Sequence, residues 1–116
     1  MVVNEKEIML NHYVLDKKGI PVIEKNLRKW TEWFEGSSQK RHIMKTEFKE
    51  EGIIISTIFL AIDCSFGQRK PMLYETAVFP TTIGVIKRYH TKKEAIKGHK
   101  DIVKGLKDKF KRNEKY

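Results

Sequence analysis

Ile53-Ile54-Ile55-Ser56-Thr57-Ile58-Phe59-Leu60-Ala61-Ile62-Asp63 is the stretch on which the fold turns. It is rich in β-branched residues and follows a tight-turn pair, Glu51-Gly52, so it reads as a strand. Broken by Ser56 and Thr57, it is far shorter than the roughly 20 apolar residues a membrane-spanning helix needs. Strand side chains alternate between faces. Here Ile54, Ile58, Leu60 and Ile62 point one way, and Ile53, Ile55, Phe59 and Ala61 the other. Both faces are therefore apolar, whereas a half-exposed antiparallel sheet alternates more cleanly.

Upstream, residues 41–48 alternate, with Met44, Thr46 and Phe48 on one side. Downstream, Cys64 to Pro71 reads as a polar loop containing Gly67, and Met72–Phe79 as a strand. In that strand Met72, Tyr74 and Val78 oppose Leu73, Ala77 and Phe79. Pro80 to Gly84 turns the chain into a short strand, Val85–Tyr89. At the N-terminal side, residues 8–15 read as a first strand and Asp16-Lys17-Lys18-Gly19 as a turn. Pro21 suits the first turn of a helix, and Ile23, Leu27, Trp30 and Phe34 recur at helical spacing with Trp33 on the flank. Gly36-Ser37-Ser38 ends that helix. A last helix opens on the capping box Thr91-Lys92-Lys93-Glu94 and carries the apolar stripe Ala95, His99, Ile102, Val103, Leu106 and Phe110.

The expected fold is α+β, in the order β-α-β-β-β-β-α. An antiparallel sheet of four to five strands has two helices packed on one face. The 116 residues make one domain, 1–116, with a frayed basic end at 111–116. Two helices cover one sheet face, and a second subunit in a homodimer is the economical cover for the other.

Composition narrows the function classes. The chain is 40% hydrophobic and 34% charged, which is globular rather than disordered. Its single cysteine, Cys64, supports neither an internal disulfide nor a multi-cysteine zinc site and fits a reducing compartment. Cys64 reads as a small residue at a strand end, with a reactive thiol as the alternative. The first residues carry acids early and no apolar run before a cleavage site, so no signal peptide is expected. The formal net charge of +9 points toward nucleic acid, an anionic surface or an acidic protein.

That charge is concentrated. From Thr91 onward ten Lys and Arg face four Asp and Glu, which accounts for +6 of the total. Lys93, Lys97, Lys100, Lys104, Lys107 and Lys111 recur at spacings of 4, 3, 4, 3 and 4. At about 100° per residue they occupy a strip about 80° wide, opposite the apolar stripe. Such a row can track phosphates. The stronger competing reading is a solvated face, because Asp101 and Asp108 follow Lys97 and Lys104 by four residues. The scarcity of arginine and the absence of interleaved aromatics argue against sequence-specific or stacking recognition. Gly98 and Gly105, on one edge of the stripe, suggest close backbone approach.

His12, His42, His90 and His99 show no metal spacing, and no metal or other cofactor is expected. His99, in the apolar stripe, reads as a hydrogen-bonded core residue. Asp63 and Glu75 lie among apolar neighbours and must be paired or shifted in pKa. With His99 they would form an acid–base site if the fold brought them together. Trp30 and Trp33 read as core. No Walker loop, dinucleotide fingerprint, HExxH, GxSxG or kinase motif is present.

Several segments carry a resemblance when read together. They are His12-Tyr13-Val14-Leu15-Asp16, Trp30 with Trp33-Phe34-Glu35, Ser56-Thr57-Ile58-Phe59-Leu60-Ala61-Ile62-Asp63, and Phe66-Gly67. Further on come Pro71-Met72-Leu73-Tyr74-Glu75-Thr76-Ala77-Val78-Phe79, and Arg88-Tyr89-His90-Thr91 with Glu94-Ala95 and Gly98-His99. The set resembles a family of small uncharacterised proteins of bacteriophages and prophages across most of residues 12–99. The family pattern has glycine in place of Ala61, histidine of Cys64, methionine of Ala77 and serine or threonine of His90. Histidine chemistry beside Asp63 would therefore not carry over.

The resemblance implies a phage gene product acting in bacterial cytoplasm, and no activity. The first functional reading is a non-enzymatic binding protein engaging a host protein or nucleoprotein, as inhibitors of host defence such as anti-CRISPR proteins do. The alternatives are a non-specific nucleic-acid binder using the lysine row, a ligand binder or enzyme using Asp63, Glu75 and His99, and a virion assembly factor.

Overall fold

The computed structural model describes residues 11–65 and 70–112. Its elements are β1 (Tyr13–Leu15), β2 (Pro21–Ile23), α1 (Leu27–Gly36), α2 (Ser38–Arg41), β3 (His42–Phe48), β4 (Ile53–Phe59), β5 (Tyr74–Phe79), β6 (Ile86–Tyr89) and α3 (Lys92–Lys111). Strands β3-β4-β5-β6 form an antiparallel meander, and β1-β2 a separate two-stranded ribbon. The fold is α+β, as expected.

The β1–β2 ribbon corrects the expected element order. Pro21 begins a strand, not a helix. Asp16 Oδ1 accepts hydrogen bonds from the amides of Lys18 and Ile20, both at 2.9 Å, and Gly19 takes φ +80°. That turn reverses the chain, so Pro21 lies opposite Leu15. A two-stranded ribbon has two edges, where a residue without an N–H is tolerated. The helix starts later, at Leu27, where Asn26 Oδ1 accepts from the Lys29 amide at 3.0 Å. Ile23, assigned to the helix from its spacing, instead ends β2 with 50% of its surface exposed.

The decisive strand is also shorter than its sequence suggests. β4 ends at Phe59, and Ala61 takes φ +64°, a left-handed conformation that costs a residue with a Cβ roughly 1–2 kcal/mol. Beyond this kink the chain changes partner. Ile62 bridges His12, the Tyr13 amide donates to Ala61 O at 2.8 Å, and the Asp63 amide donates to Asn11 O at 3.0 Å. The expected strand at 8–15 is described from residue 11 onward, and its earlier part lies outside the described residues. So do Gly67 of the expected loop and residues 113–116 of the basic end.

Register divides the meander into two faces. Phe48, Ile53, Thr46, Ile55, Val78, Met44, Thr57, Thr76, Phe59, Tyr74 and Tyr89 share one. On that face α3 packs: Phe48 meets Phe110 edge-on at 5.1 Å, and Ile53, Ile55, Val78 and Leu106 form one core cluster. A second cluster joins Trp30, Phe59, Ala61, Leu73, Tyr74, Tyr89 and Ala95. The indole of Trp30 donates to Tyr13 O at 3.0 Å and Ala61 O at 3.1 Å, fixing α1 to both β1 and the kink after β4. Trp30 and Trp33 are thus core residues, Trp33 meeting Phe59 edge-on at 6.1 Å.

The other face carries Ile54, Ser56, Ile58, Glu75 and Ala77, all half-buried, with Phe79 and Ile86 exposed. This is the face for which the sequence called for a second subunit. Within the chain, the described residues leave it part-open.

The two helix glycines separate. A Cβ on Gly98 would overlap the Tyr89 ring, so glycine is needed for α3 to lie this close to β6. Among the described residues a Cβ on Gly105 would meet nothing, so close approach to them does not explain that glycine. Among the described residues no helix is long and apolar enough to cross a membrane.

Candidate anion-binding surface

The lysine row is a helical surface because α3 is regular from cap to cap. Thr91 Oγ1 accepts from the Glu94 amide at 3.1 Å while its hydroxyl donates to the Glu94 carboxylate at 2.9 Å. Once Ala95, Gly98, His99 and Leu106 commit to the sheet, the opposite side must face solvent. Lys93, Lys97, Lys100, Lys104, Lys107 and Lys111 are all exposed there. Lys97 pairs with Asp101 at 2.9 Å, and that hydrogen bond holds the Asp101 carboxyl below its ordinary pKa. The other expected pair, Lys104 with Asp108, is not among the ion pairs of the described residues, so most of the row stays available.

The row does not stand on a convex surface alone. Lys100, Lys104 and Lys107 line a groove of about 290 Å³, together with Thr46 of β3 and Val103 among the described residues. The seam between β3 and α3 therefore has three lysines along one wall. At its other end lies a hollow of about 400 Å³, lined by Lys17, Lys18, Lys40 and Lys92 together with Leu15, Asp16, Gly19, Ile43 and Tyr74. These four lysines come from the β1–β2 turn, α2 and the first residue of α3. Nothing in the sequence marks these three segments as neighbours, which is why sequence reasoning missed the cluster.

Asp63, Glu75 and His99 do not form a shared site. His99 is 1% exposed, on the side of α3 that packs against the covered face of the sheet. Its Nε2 is 2.8 Å from Thr46 Oγ1 and its Nδ1 is 2.7 Å from Thr57 Oγ1, which in turn bonds Thr76 Oγ1. Burial pushes the imidazole pKa below its ordinary value, so the ring is neutral at neutral pH. A neutral ring has one donor and one acceptor nitrogen, and the three rotating hydroxyls satisfy either tautomer. This is a closed structural network, in keeping with the core reading of His99.

Glu75 projects from the opposite face, with its carboxylate 3.9 Å from Arg88. The intervening sheet separates it from His99. Asp63 staples its own loop: Oδ1 accepts from the Ser65 amide at 2.8 Å and the Met72 amide at 3.1 Å. Asp63, Glu75 and Arg88 do lie within electrostatic reach of Cys64. Burial is nevertheless the largest effect on that thiol and raises its pKa, the reverse of what activates a nucleophile. Burial first, and the Asp63 charge second, likewise raise the Tyr13 phenol. Among the described residues no group of three or more His, Cys, Asp or Glu side chains is placed to hold a metal ion.

Comparison with known proteins leaves the argument on this geometry: no family model, no curated protein and no solved structure matches the chain.

Proposed function

We propose that this chain is a non-enzymatic binding protein that holds the phosphate backbone of a nucleic acid, bare or within a host nucleoprotein, along the β3–α3 seam. The observation that supports the reading is the grouping of Lys100, Lys104 and Lys107 along one wall of a groove. Lysines on a merely solvated face diverge into water, whereas a concave cationic wall focuses its field on a linear anion. Along α3 the row advances about 5 Å per lysine, so a backbone following the helix meets repeated charges. Lysine supplies point charges without the planar fork that reads bases, so the contacts are indifferent to sequence. In the phage setting that the family resemblance suggests, such a protein would act in the bacterial cytoplasm on a host defence complex, by competing for its nucleic-acid site.

Fluorescence anisotropy with random-sequence RNA and DNA tests this. The expected result is binding at low salt whose log affinity falls linearly with log salt, at a slope of about −0.7 per phosphate contacted for single strands. Charge reversal at Lys100, Lys104 and Lys107 should remove most of it, while Lys25→Glu, on the β2–α1 connection, should change little. Absence of binding at low salt would overturn the reading and turn the search to host proteins, by pull-down.

A further inference from the structure

The hollow at the far end of the seam differs in kind from the groove. It is larger, at about 400 Å³, and falls within the range of about 300–1,000 Å³ typical of small-ligand pockets. Its lining is divided. Leu15 and Ile43 supply an apolar part, and both pack against the main core cluster. Tyr74 is 2% exposed, so it closes the hollow from the core side and offers a ligand almost no surface of its own. Lys17, Lys18, Lys40 and Lys92 supply four lysine side chains.

Among the described residues Asp16 is the one acid in the lining, and its Oδ1 is taken by the Lys18 and Ile20 amides of its own turn. None of the four lysines joins an ion pair among the described residues. Four like charges gathered from three chain segments around one concavity repel one another. A bound anion would relieve that repulsion, and the dianionic end of a phosphate ester suits it better than a singly charged internal phosphate.

We infer that this pocket binds a nucleoside phosphate, its base against Leu15 and Ile43 and its phosphates among Lys17, Lys18, Lys40 and Lys92. The ligand is either a free nucleotide or the phosphate-bearing terminal nucleotide of a strand lying in the seam. The strand-end form rests on the nucleic-acid reading above; the free-nucleotide form stands without it.

Calorimetric titration of the full chain with ADP, with adenosine, and with matched oligonucleotides ending in phosphate or in hydroxyl distinguishes the cases. Two variants accompany the wild type: Lys18→Glu with Lys40→Glu in the pocket, and Lys104→Glu with Lys107→Glu in the groove. All four positions are exposed, and circular dichroism checks that both variants fold. ADP should bind at least about tenfold more tightly than adenosine, the equivalent of one charge-assisted hydrogen bond. The pocket variant should lose that preference, and the groove variant should keep it. A similar advantage of the phosphate-ended strand over the hydroxyl-ended one assigns the strand end. ADP binding without that advantage assigns the free nucleotide. ADP binding with no affinity for either strand would sink the seam reading and leave the pocket standing. The pocket inference is overturned if neither ADP nor the phosphate-ended strand gains over its counterpart, or if the folded pocket variant binds as the wild type does.

Discussion

The two faces of the meander are built from similar residues and have different fates. Ile53, Ile55, Thr57 and Phe59 on the covered face are at most 5% exposed, while Ile54, Ser56 and Ile58, interleaved with them, stay half-open. Each face even carries hydroxyls and a charged or titratable group. On the covered face these are Thr57, Thr76 and His99, bonded into a closed network. On the open face Glu75 and Arg88 keep partial contact with water. The difference teaches that burial here follows from where α3 and α1 land, and that polar groups are tolerated beneath them because every one in the His99 network has a partner.

The largest expected contrast is between adjacent isoleucines. Ile55→Ala should cost about 2–5 kcal/mol, because the cavity opens in a packed core. Ile54→Ala should cost well under half of that, as its side chain is already part-hydrated. Urea midpoints with unchanged slopes would read both. Equal losses at the two positions would break the comparison. If a second copy covers the open face, the Ile54→Ala loss will grow with protein concentration, and in a monomer it will not.

The helix glycines test the same contrast from the α3 side. Gly98→Ala should destabilise by about 1–3 kcal/mol through overpacking, since Tyr89 is buried and cannot swing away. The Tyr89 hydroxyl has no hydrogen-bond partner among the described residues, so Tyr89→Phe should be neutral or stabilising by the same urea measurement.

Thr57→Val should cost about 1–3 kcal/mol by stranding both His99 Nδ1 and the Thr76 hydroxyl. The same network sets a pH dependence. The His99 pKa is lowered in the fold from 6.5, so the unfolded chain takes up its proton first as pH falls. This contribution is complete above the unfolded value and declines below it, until the folded ring also protonates. Urea unfolding at a series of pH values should show that decline in the wild type and a flatter profile in His99→Gln. The smallest effect is of opposite sign: Gly105→Ala, at an exposed helical position with open space, should stabilise by about 0.5–1 kcal/mol. A loss there would mean that α3 approaches something at Gly105 after all.

Much of this was legible locally. Thr91 and Glu94 signal the cap of α3, the stripe from Ala95 to Phe110 signals its buried side, and Glu51-Gly52 signals the β3–β4 hairpin, with Gly52 at φ +69°. Pro21 misled because proline suits both a helix start and a ribbon edge. Asp16 decided between them through two hydrogen bonds that spacing alone does not reveal. The lysine row on α3 was legible for the same reason as the stripe, since both follow from one helical period. The lysine hollow was not, because Lys17, Lys18, Lys40 and Lys92 meet only after the ribbon, α2 and α3 have packed.

The sequence by itself determined the α+β class, the regular elements around the central strand and the basic side of the last helix. Each depends on interactions among residues a few positions apart, and side-chain period and caps encode those directly. Only the tertiary structure decided which sheet face is covered, that Glu75 and His99 lie on opposite sides of it, and that lysines from three segments share one hollow. Those outcomes depend on how the elements are placed in three dimensions. Placement is settled by packing across the whole chain, such as the indole of Trp30 bonding Tyr13 and Ala61 at once.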